Sequence, residues 1–311
     1  MERLIRIGTR GSELALAQTR LVIERLRREY PEWNMETVIL NTKGDKILNK
    51  PLIDFGGKGV FMTELEEALT DGRIDLAVHS AKDMPMDLAA GLVIAGVLPR
   101  MDARDVLVVR KGLFLITDTD KAQPSVQQKD GTCMDSSDIT IGTGSLRRQI
   151  QLKELYPAIN CLSIRGNVPT RLQKIQLGEC DGVVLAAAGL SRLDLLEEEE
   201  FDYCYFSYEE MIPAGGQGII AIEGREEDEI TRLVENISDI TAAYELETER
   251  CILKQLGAGC HEAVGVISRI EQDDIKIQIL RDQNGILQRQ EGSTLVSRRL
   301  ELATALVNRL E

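Results

Sequence analysis

The sequence predicts an α/β chain: two similar domains with mainly parallel sheets, joined by hinges, and a smaller C-terminal α+β domain. Three observations lead there. Short β-branched runs alternate with helical patterns through the first half of the 311 residues, which implies a parallel sheet covered by helices on both faces. Two pairs of local motifs recur in the same order along the chain, the mark of a duplicated unit. After about Asp239 the alternation gives way to a helix, three strands and a closing helix.

Leu4–Gly8 reads as a strand, and Ser12, a residue suited to capping free N–H groups, starts the first helix. Met35–Leu40 is the next strand. Thr63 and Glu66 have capping-box spacing at the start of a helix that Gly72 closes. Leu76–Ser80 and Leu92–Leu98 read as buried strands. The duplication shows as Ile7-Gly8-Thr9-Arg10-Gly11-Ser12 against Ile141-Gly142-Thr143-Gly144-Ser145. It shows again as Gly72-Arg73-Ile74-Asp75 before Leu76 and Gly178-Glu179-Cys180-Asp181 before Gly182. Turn-forming residues mark hinges at Leu98–Asp102 and Pro213–Gly218. The expected domains are therefore 1–98 plus 219–238, then 99–218 with an excursion near 111–138, then 239–311. In the third, a helix over Ala242–Leu256 leads to strands at Ala263–Arg269, Ile275–Arg281 and Ile286–Glu291, and a last helix covers Val296–Leu310.

Hydrophobic residues make up 43% and charged residues 28%, the balance of a folded soluble protein. No apolar run approaches the roughly 20 residues that cross a bilayer, and Met1–Arg6 enters a strand pattern without a signal-peptide apolar block. The expectation is a cytoplasmic protein with no membrane partner. Six cysteines include no CxxC pair and only His79 and His261 accompany them, so no metal site is expected and most thiols are read as reduced and buried. A net charge of −14 argues against nucleic acid as the main partner. That charge is uneven: residues 141–192 hold seven Lys/Arg against three Asp/Glu, whereas 193–249 hold eighteen acids against two bases. Screening acts over about 8 Å in physiological salt, so a cationic pocket survives on an acidic protein. Nothing in the sequence suggests an obligate interface, and a monomer is expected.

Both strand–Gly-Thr–Ser–helix junctions put backbone N–H groups where anions are favoured. Arginines accompany them: Arg10 before the first helix, Arg147 and Arg148 just inside the second, Arg165 and Arg171 around the next junction, and Arg192 after a further strand. In open α/β sheets ligands bind beyond the carboxyl ends of strands, where all six fall. Arginine's planar fork suits carboxylate or phosphate. Neither a Walker loop nor GxGxxG follows a strand, so a ligand with many carboxylates fits better than a nucleotide. Lys82-Asp83 follows the strand ending His79-Ser80; Asp83 is placed to act as acid or base, to stabilise a developing cation, or simply to form the turn. His79 is read as a strand residue in a polar cleft wall. Cys260, in Leu256-Gly257-Ala258-Gly259-Cys260-His261, lies on a Gly-rich loop that leaves one thiol approachable, as nucleophile, covalent anchor or plain surface residue.

Together these segments resemble the porphobilinogen deaminase (hydroxymethylbilane synthase) family over nearly the whole chain. The matching motifs are Thr9-Arg10-Gly11-Ser12-Glu13-Leu14-Ala15-Leu16-Ala17-Gln18, Gly56-Gly57-Lys58-Gly59-Val60-Phe61 and His79-Ser80-Ala81-Lys82-Asp83-Met84-Pro85. To these the sequence adds Gly142-Thr143-Gly144-Ser145-Leu146-Arg147-Arg148-Gln149, Arg165-Gly166-Asn167-Val168-Pro169-Thr170-Arg171, Gly215-Gly216-Gln217-Gly218 and Gly257-Ala258-Gly259-Cys260. The resemblance implies a transferase with a dipyrromethane cofactor held by a thioether to Cys260. Onto it four porphobilinogen molecules condense with loss of ammonia, and water then releases hydroxymethylbilane. It implies that Asp83 meets pyrrole N–H groups and that a growing polycarboxylate lies on Arg10, Arg147, Arg148, Arg165, Arg171 and Arg192. It also places Ser12, Lys58, Lys82, Thr143, Ser145 and Gln217 along the cofactor or substrate cleft. Three features depart from the family pattern: Asp54 where many relatives carry a base, Ala258 in place of a glycine, and a longer stretch at 113–138.

Two rivals remain open to test. A non-enzymatic solute-binding module shares the two-lobed architecture of periplasmic-type binding proteins but needs neither Cys260 nor Asp83. A cysteine hydrolase built on Cys260-His261 is disfavoured, because adjacent side chains seldom align as nucleophile and base.

Overall fold

A computed structural model describes residues 4–40, 63–116, 125–128, 133–134, 136–258, 262–283 and 285–310. Two five-stranded sheets dominate it. The first runs in the order Asn34–Ile39, Leu4–Thr9, Leu76–Ser80, Ile220–Arg225, Leu92–Val97. The second runs Asn160–Leu162, Thr140–Gly142, Gly182–Ala186, Asp105–Arg110, Phe201–Tyr205. Each sheet is parallel across its first three strands and antiparallel across the last two pairings. The antiparallel pairs arise because Ile220–Arg225 and Asp105–Arg110 follow directly from the hinges. They enter each sheet from the end where the parallel strands finish.

The duplication extends to individual hydrogen bonds. Gly72 and Gly178 both adopt positive φ, +69° and +71°, and close their helices. In the first lobe the Asp75 carboxylate accepts from the Arg6 amide (2.8 Å), and in the second Asp181 accepts from that of Thr140 (2.9 Å). Each of these acids also meets an arginine at the far end of the hinge strand: Arg225 for Asp75 and Arg110 for Asp181. Gly8 and Gly142 are equivalent as well, since a Cβ on either would strike an isoleucine, Ile74 at 2.3 Å or Ile164 at 2.7 Å.

The helix Glu13–Glu29 begins as the sequence predicts, with the Ser12 hydroxyl accepting from Ala15 N–H at 3.3 Å. The helix Thr63–Thr70 opens where the sequence predicts, and Glu66 accepts from the Ala89 amide at 3.2 Å, tying that helix to the loop before Leu92. The excursion at 111–138 contains a small antiparallel sheet of Leu113–Ile116, Ser125–Gln128 and Cys133–Met134.

The C-terminal unit is the predicted helix, Ile240–Gln255, followed by the antiparallel sheet Val264–Glu271, Asp274–Gln283, Ile286–Leu295 and the helix Arg299–Val307. It meets the hinges at a buried knot. Arg100, on the first crossing segment, donates to Gln217 O on the second (2.9 Å) and to both carboxyl oxygens of Glu249 (2.6 and 3.2 Å). Glu249 also accepts from the amides of Gly216 (2.6 Å) and Ser268 (2.7 Å). The crossing segments bond each other through Leu98 N–H to Ile220 O and Met101 N–H to Gly218 O. Gly218, at φ +90°, is required here, because a Cβ would lie 2.4 Å from Met101 O.

Candidate functional site

At the end of Leu76–Ser80 a single 3₁₀ turn, Ala81–Asp83, is anchored by fully buried Met84 and by Ala81 N–H donating to Ile219 O (3.0 Å). This leaves Lys82 half-buried and the Asp83 carboxylate exposed beside the hinge. From Lys82 a chain of polar contacts crosses to the second lobe. Lys82 Nζ donates to Gln217 Oε1 (3.4 Å), and Gln217 Nε2 donates to Ala103 O (2.7 Å) and Asp105 Oδ1 (2.9 Å). Asp105, fully buried, accepts from Arg147 Nη1 (2.7 Å) and from Arg148 Nε and Nη2 (3.1 and 2.6 Å). Burial alone would raise the Asp105 pKa; Arg147 and Arg148 more than offset it and hold the carboxyl well below the usual range.

Two arginines on one acid leave a buried excess of positive charge. Arg147 and Arg148 also donate to backbone, at Ile212 O (2.8 Å) and Val184 O (2.9 Å). They are thus framework as much as ligand, a role that spacing alone does not disclose. Around them lie the other predicted cations. Arg171 donates to Gly166 O (2.9 Å), and burial with repulsion from Arg148 and Arg165, eased by Asp83, pushes its pKa down to about 10. Asp83 in the first lobe is therefore in electrostatic reach of Arg171 in the second. Arg192 donates to Gly218 O (2.6 Å), its Nε has no hydrogen-bond partner among the described residues, and burial pushes its pKa down to about 10. Arg10 is half-buried beside the Ser12 cap. The adjoining Leu14 approaches the second lobe at Gly189, where an added Cβ would sit 3.8 Å from it.

Thr143 is fully buried and its hydroxyl accepts from Ser145 N–H (3.2 Å), so it shapes the loop that presents Ser145 at the N-cap; the Ser145 side chain makes no cap bond. Lys58 and Cys260 lie outside the described residues, as do Asp54 and His261. The approach to Cys260 is described: Gly257 turns the chain at φ +63° after the helix Ile240–Gln255, and Ala258 is buried in the core of the C-terminal unit. His79 is not in the cleft wall. Its side chain is buried within the first sheet against Glu223, Nε2 to Oε2 2.9 Å, because alternation along the strand turns it away from the cleft.

Sequence reasoning missed Asp105, Arg100 and Glu249. Asp105 left one trace: an acid at the head of an otherwise apolar strand, Asp105-Val106-Leu107-Val108-Val109. Such an acid needs a buried counter-charge.

These residues fit a polycarboxylate. Several cations converge on Asp83 and Asp105, and at Arg192 a buried donor has no partner among the described residues. Among the described residues no group of three or more His, Cys, Asp or Glu is placed to hold a metal.

Lys82 makes the electrostatics testable. Burial, partly countered by Asp83 and reinforced by Arg148, lowers its pKa to about 8. The ammonium is thus charged below that pH and lost above it. In cofactor-free protein, affinity for a soluble polycarboxylate is expected to fall as pH rises from 7 to 9. Calorimetric titration of Lys82→Met should show that dependence flattened; an unchanged slope would remove Lys82 from the anion site.

A family model described as "Porphobilinogen deaminase, dipyromethane cofactor binding domain" matches residues 5–233. A porphobilinogen deaminase of Syntrophus aciditrophicus is 38% identical over 315 residues, covering 98% of this chain and 94% of that protein. One of Lachnospira eligens is 44% identical over 263 residues, covering 84% and 82%. Among solved structures, the periplasmic VFT2 domain of Bordetella pertussis BvgS is similar at 14% identity and a TM-score of 0.42, over 75% of this chain and 86% of that one.

Proposed function

The chain belongs to the porphobilinogen deaminase family, and on that premise we propose that it condenses four porphobilinogen molecules, each with loss of ammonia, on a dipyrromethane held by a thioether to Cys260. Water then releases hydroxymethylbilane. The observation that carries this reading is that Asp83, on the first lobe, lies in electrostatic reach of its neighbour Lys82 and of Arg171 on the second lobe. One acid stands there at the mouth of a buried cationic framework built on Asp105.

When bound, the dipyrromethane supplies an electron-rich pyrrole carbon on which the chain is built. The protein's residues do the rest. The Asp83 carboxylate accepts a pyrrole N–H and lowers the energy of the positive charge that develops as porphobilinogen loses ammonia. Arg171, Arg165, Arg192, Arg10, Lys82 and Lys58 bind acetate and propionate groups. Arg147 and Arg148 contribute their surplus charge from below, and Gln217 couples the Asp83 turn to them. Ser12, Thr143 and Ser145 shape the two helix starts that face the carboxylates. The anchor keeps every intermediate at one centre.

We take 1–98 with 219–238, 99–218 and 239–311 as the domains, and a cytoplasmic monomer as the working form. Among the described residues no helix is long and apolar enough to cross a membrane.

Intact-protein mass spectrometry tests the reading. Active protein should carry an added two-pyrrole mass that localises to the peptide of Cys260 and colours with Ehrlich's reagent, and Cys260→Ser should lack both. An unmodified mass in turnover-competent protein would overturn the thioether at Cys260, whereas unmodified protein that binds small anions without turnover would return the chain to the solute-binding alternative.

A further inference from the structure

One buried polar side chain on the helix that carries Arg147 and Arg148 has no part in the chemistry above. Gln151 lies on Leu146–Leu155, one turn after Arg147, and is 0% exposed. A primary amide is costly to bury unless its hydrogen-bonding groups are met. Here they are met chiefly by one residue, Ile212, at the root of the second crossing segment. Gln151 Oε1 accepts from Ile212 N–H (2.8 Å), and Gln151 Nε2 donates to Ile212 O (3.1 Å) and to Arg147 O (3.3 Å). The amide thus clamps both backbone polar groups of Ile212 to the helix.

The Ile212 carbonyl is also the backbone acceptor for Arg147. Arg147 Nη1 donates to Asp105 Oδ2 (2.7 Å) and to Ile212 O (2.8 Å). Both hydrogens on that nitrogen lie in the plane of the guanidinium, so two acceptors fix the plane as well as the position of the charge. Asp105 alone would fix the position and leave the plane to pivot. From the opposite side the C-terminal sheet closes on the same carbonyl. Gly265, on the strand Val264–Glu271 that follows Cys260, comes so near that a Cβ would lie 2.8 Å from Ile212 O. The next residue donates from Val266 N–H to Pro213 O (2.8 Å), and the Ile212 side chain packs with Ala103, Ile267 and Leu280. One carbonyl therefore stands between the helix of the arginines and the unit of the anchor.

We propose that Gln151 is a positioning residue for the bound polycarboxylate. By clamping Ile212 it presents a fixed carbonyl to Arg147, and so sets the direction of the charge that Arg147 contributes to the cleft. The proposal rests on the reading of Arg147 as a charge that binds carboxylates. It predicts weaker binding with the chemical step spared, because Asp83 is untouched.

Steady-state turnover of porphobilinogen by cofactor-loaded protein, with loading checked by intact mass, decides it. Gln151→Met keeps the length and removes every bond of the amide. It should raise KM roughly 3- to 10-fold, the range of one net hydrogen bond, with kcat held within about twofold. Gly265→Ala, which presses on the same carbonyl from the C-terminal sheet, should raise KM in the same sense. In an Arg147→Met background, where Arg148 still neutralises Asp105, adding Gln151→Met should raise KM no further, as expected for a residue that acts through that guanidinium. Leu152→Val, at a fully buried neighbour in the apolar core, should lower stability and leave KM unchanged. An unchanged KM in Gln151→Met, a further rise on Arg147→Met, or an equal rise in Leu152→Val would each overturn the proposal. Should Gln151→Met not fold, Gly265→Ala carries the test, and an unchanged KM there overturns it. A raised KM in Arg147→Met beside a normal one in Gln151→Met sinks the proposal alone; a normal KM in Arg147→Met sinks the reading of Arg147 and the proposal with it.

Discussion

Asp83→Asn is expected to lower kcat by roughly 10²–10⁴-fold, the range for removing a charged group that acts on a developing cation. The substitution keeps size and shape, and the carboxylate is exposed at the end of its turn, so the folded state loses little. Met84 and the Ala81 to Ile219 bond hold the turn independently of the Asp83 side chain. What disappears is the negative charge in electrostatic reach of Lys82 and Arg171. Carboxylate binding should persist or tighten slightly, because an acid that opposed it is gone. Single-turnover measurement on protein already carrying its cofactor separates this from any effect on cofactor assembly. Turnover within a few-fold of the parent would remove Asp83 from the chemistry.

The second large effect is expected at Asp105, where the loss falls on the framework. Asp105→Ala leaves Arg147 and Arg148 buried against each other with no acid between them. Breaking a buried ion pair from one side costs about 3–5 kcal/mol. Gln217 loses an acceptor in the same stroke, and with it the link that reaches Lys82. Chemical denaturation should show the destabilisation, and mass spectrometry should find little cofactor on whatever folds. Replacing all three charges, with Asp105→Leu, Arg147→Met and Arg148→Met, should return much of the stability, since an apolar trio avoids the desolvation cost. Activity should not return with it. A stable, fully loaded Asp105→Ala would show that the arginines need no buried counter-charge.

Much of this organisation was legible before any coordinates. Strands such as Leu76–Ser80 announce themselves because both faces are buried and the apolar run is continuous. Ser12 was readable because capping is a local interaction. Local reasoning places the start of the helix Thr63–Thr70 but is silent on Ala89, the long-range partner whose amide donates to the Glu66 carboxylate. The arginines could be collected at strand ends from order alone. Which of them are spent on an internal acid could not, because Asp105 is 42 residues from Arg147 and meets it only through the sheet. His79 shows the same gap: its partner Glu223 is 144 residues away and arrives by the return through the hinge.

The knot at Glu249 constrains how the lobes can separate. Its carboxylate grips Arg100 on one crossing segment and Gly216 on the other, so the C-terminal unit is pinned to the axle, and Arg250, donating to Pro85 O and Met86 O, ties it to the first lobe as well. A swing of one lobe relative to the other then leaves the helix Ile240–Gln255 in register with the pivot. A longer product would be housed by widening the angle, while the helix Ile240–Gln255 travels with the first lobe.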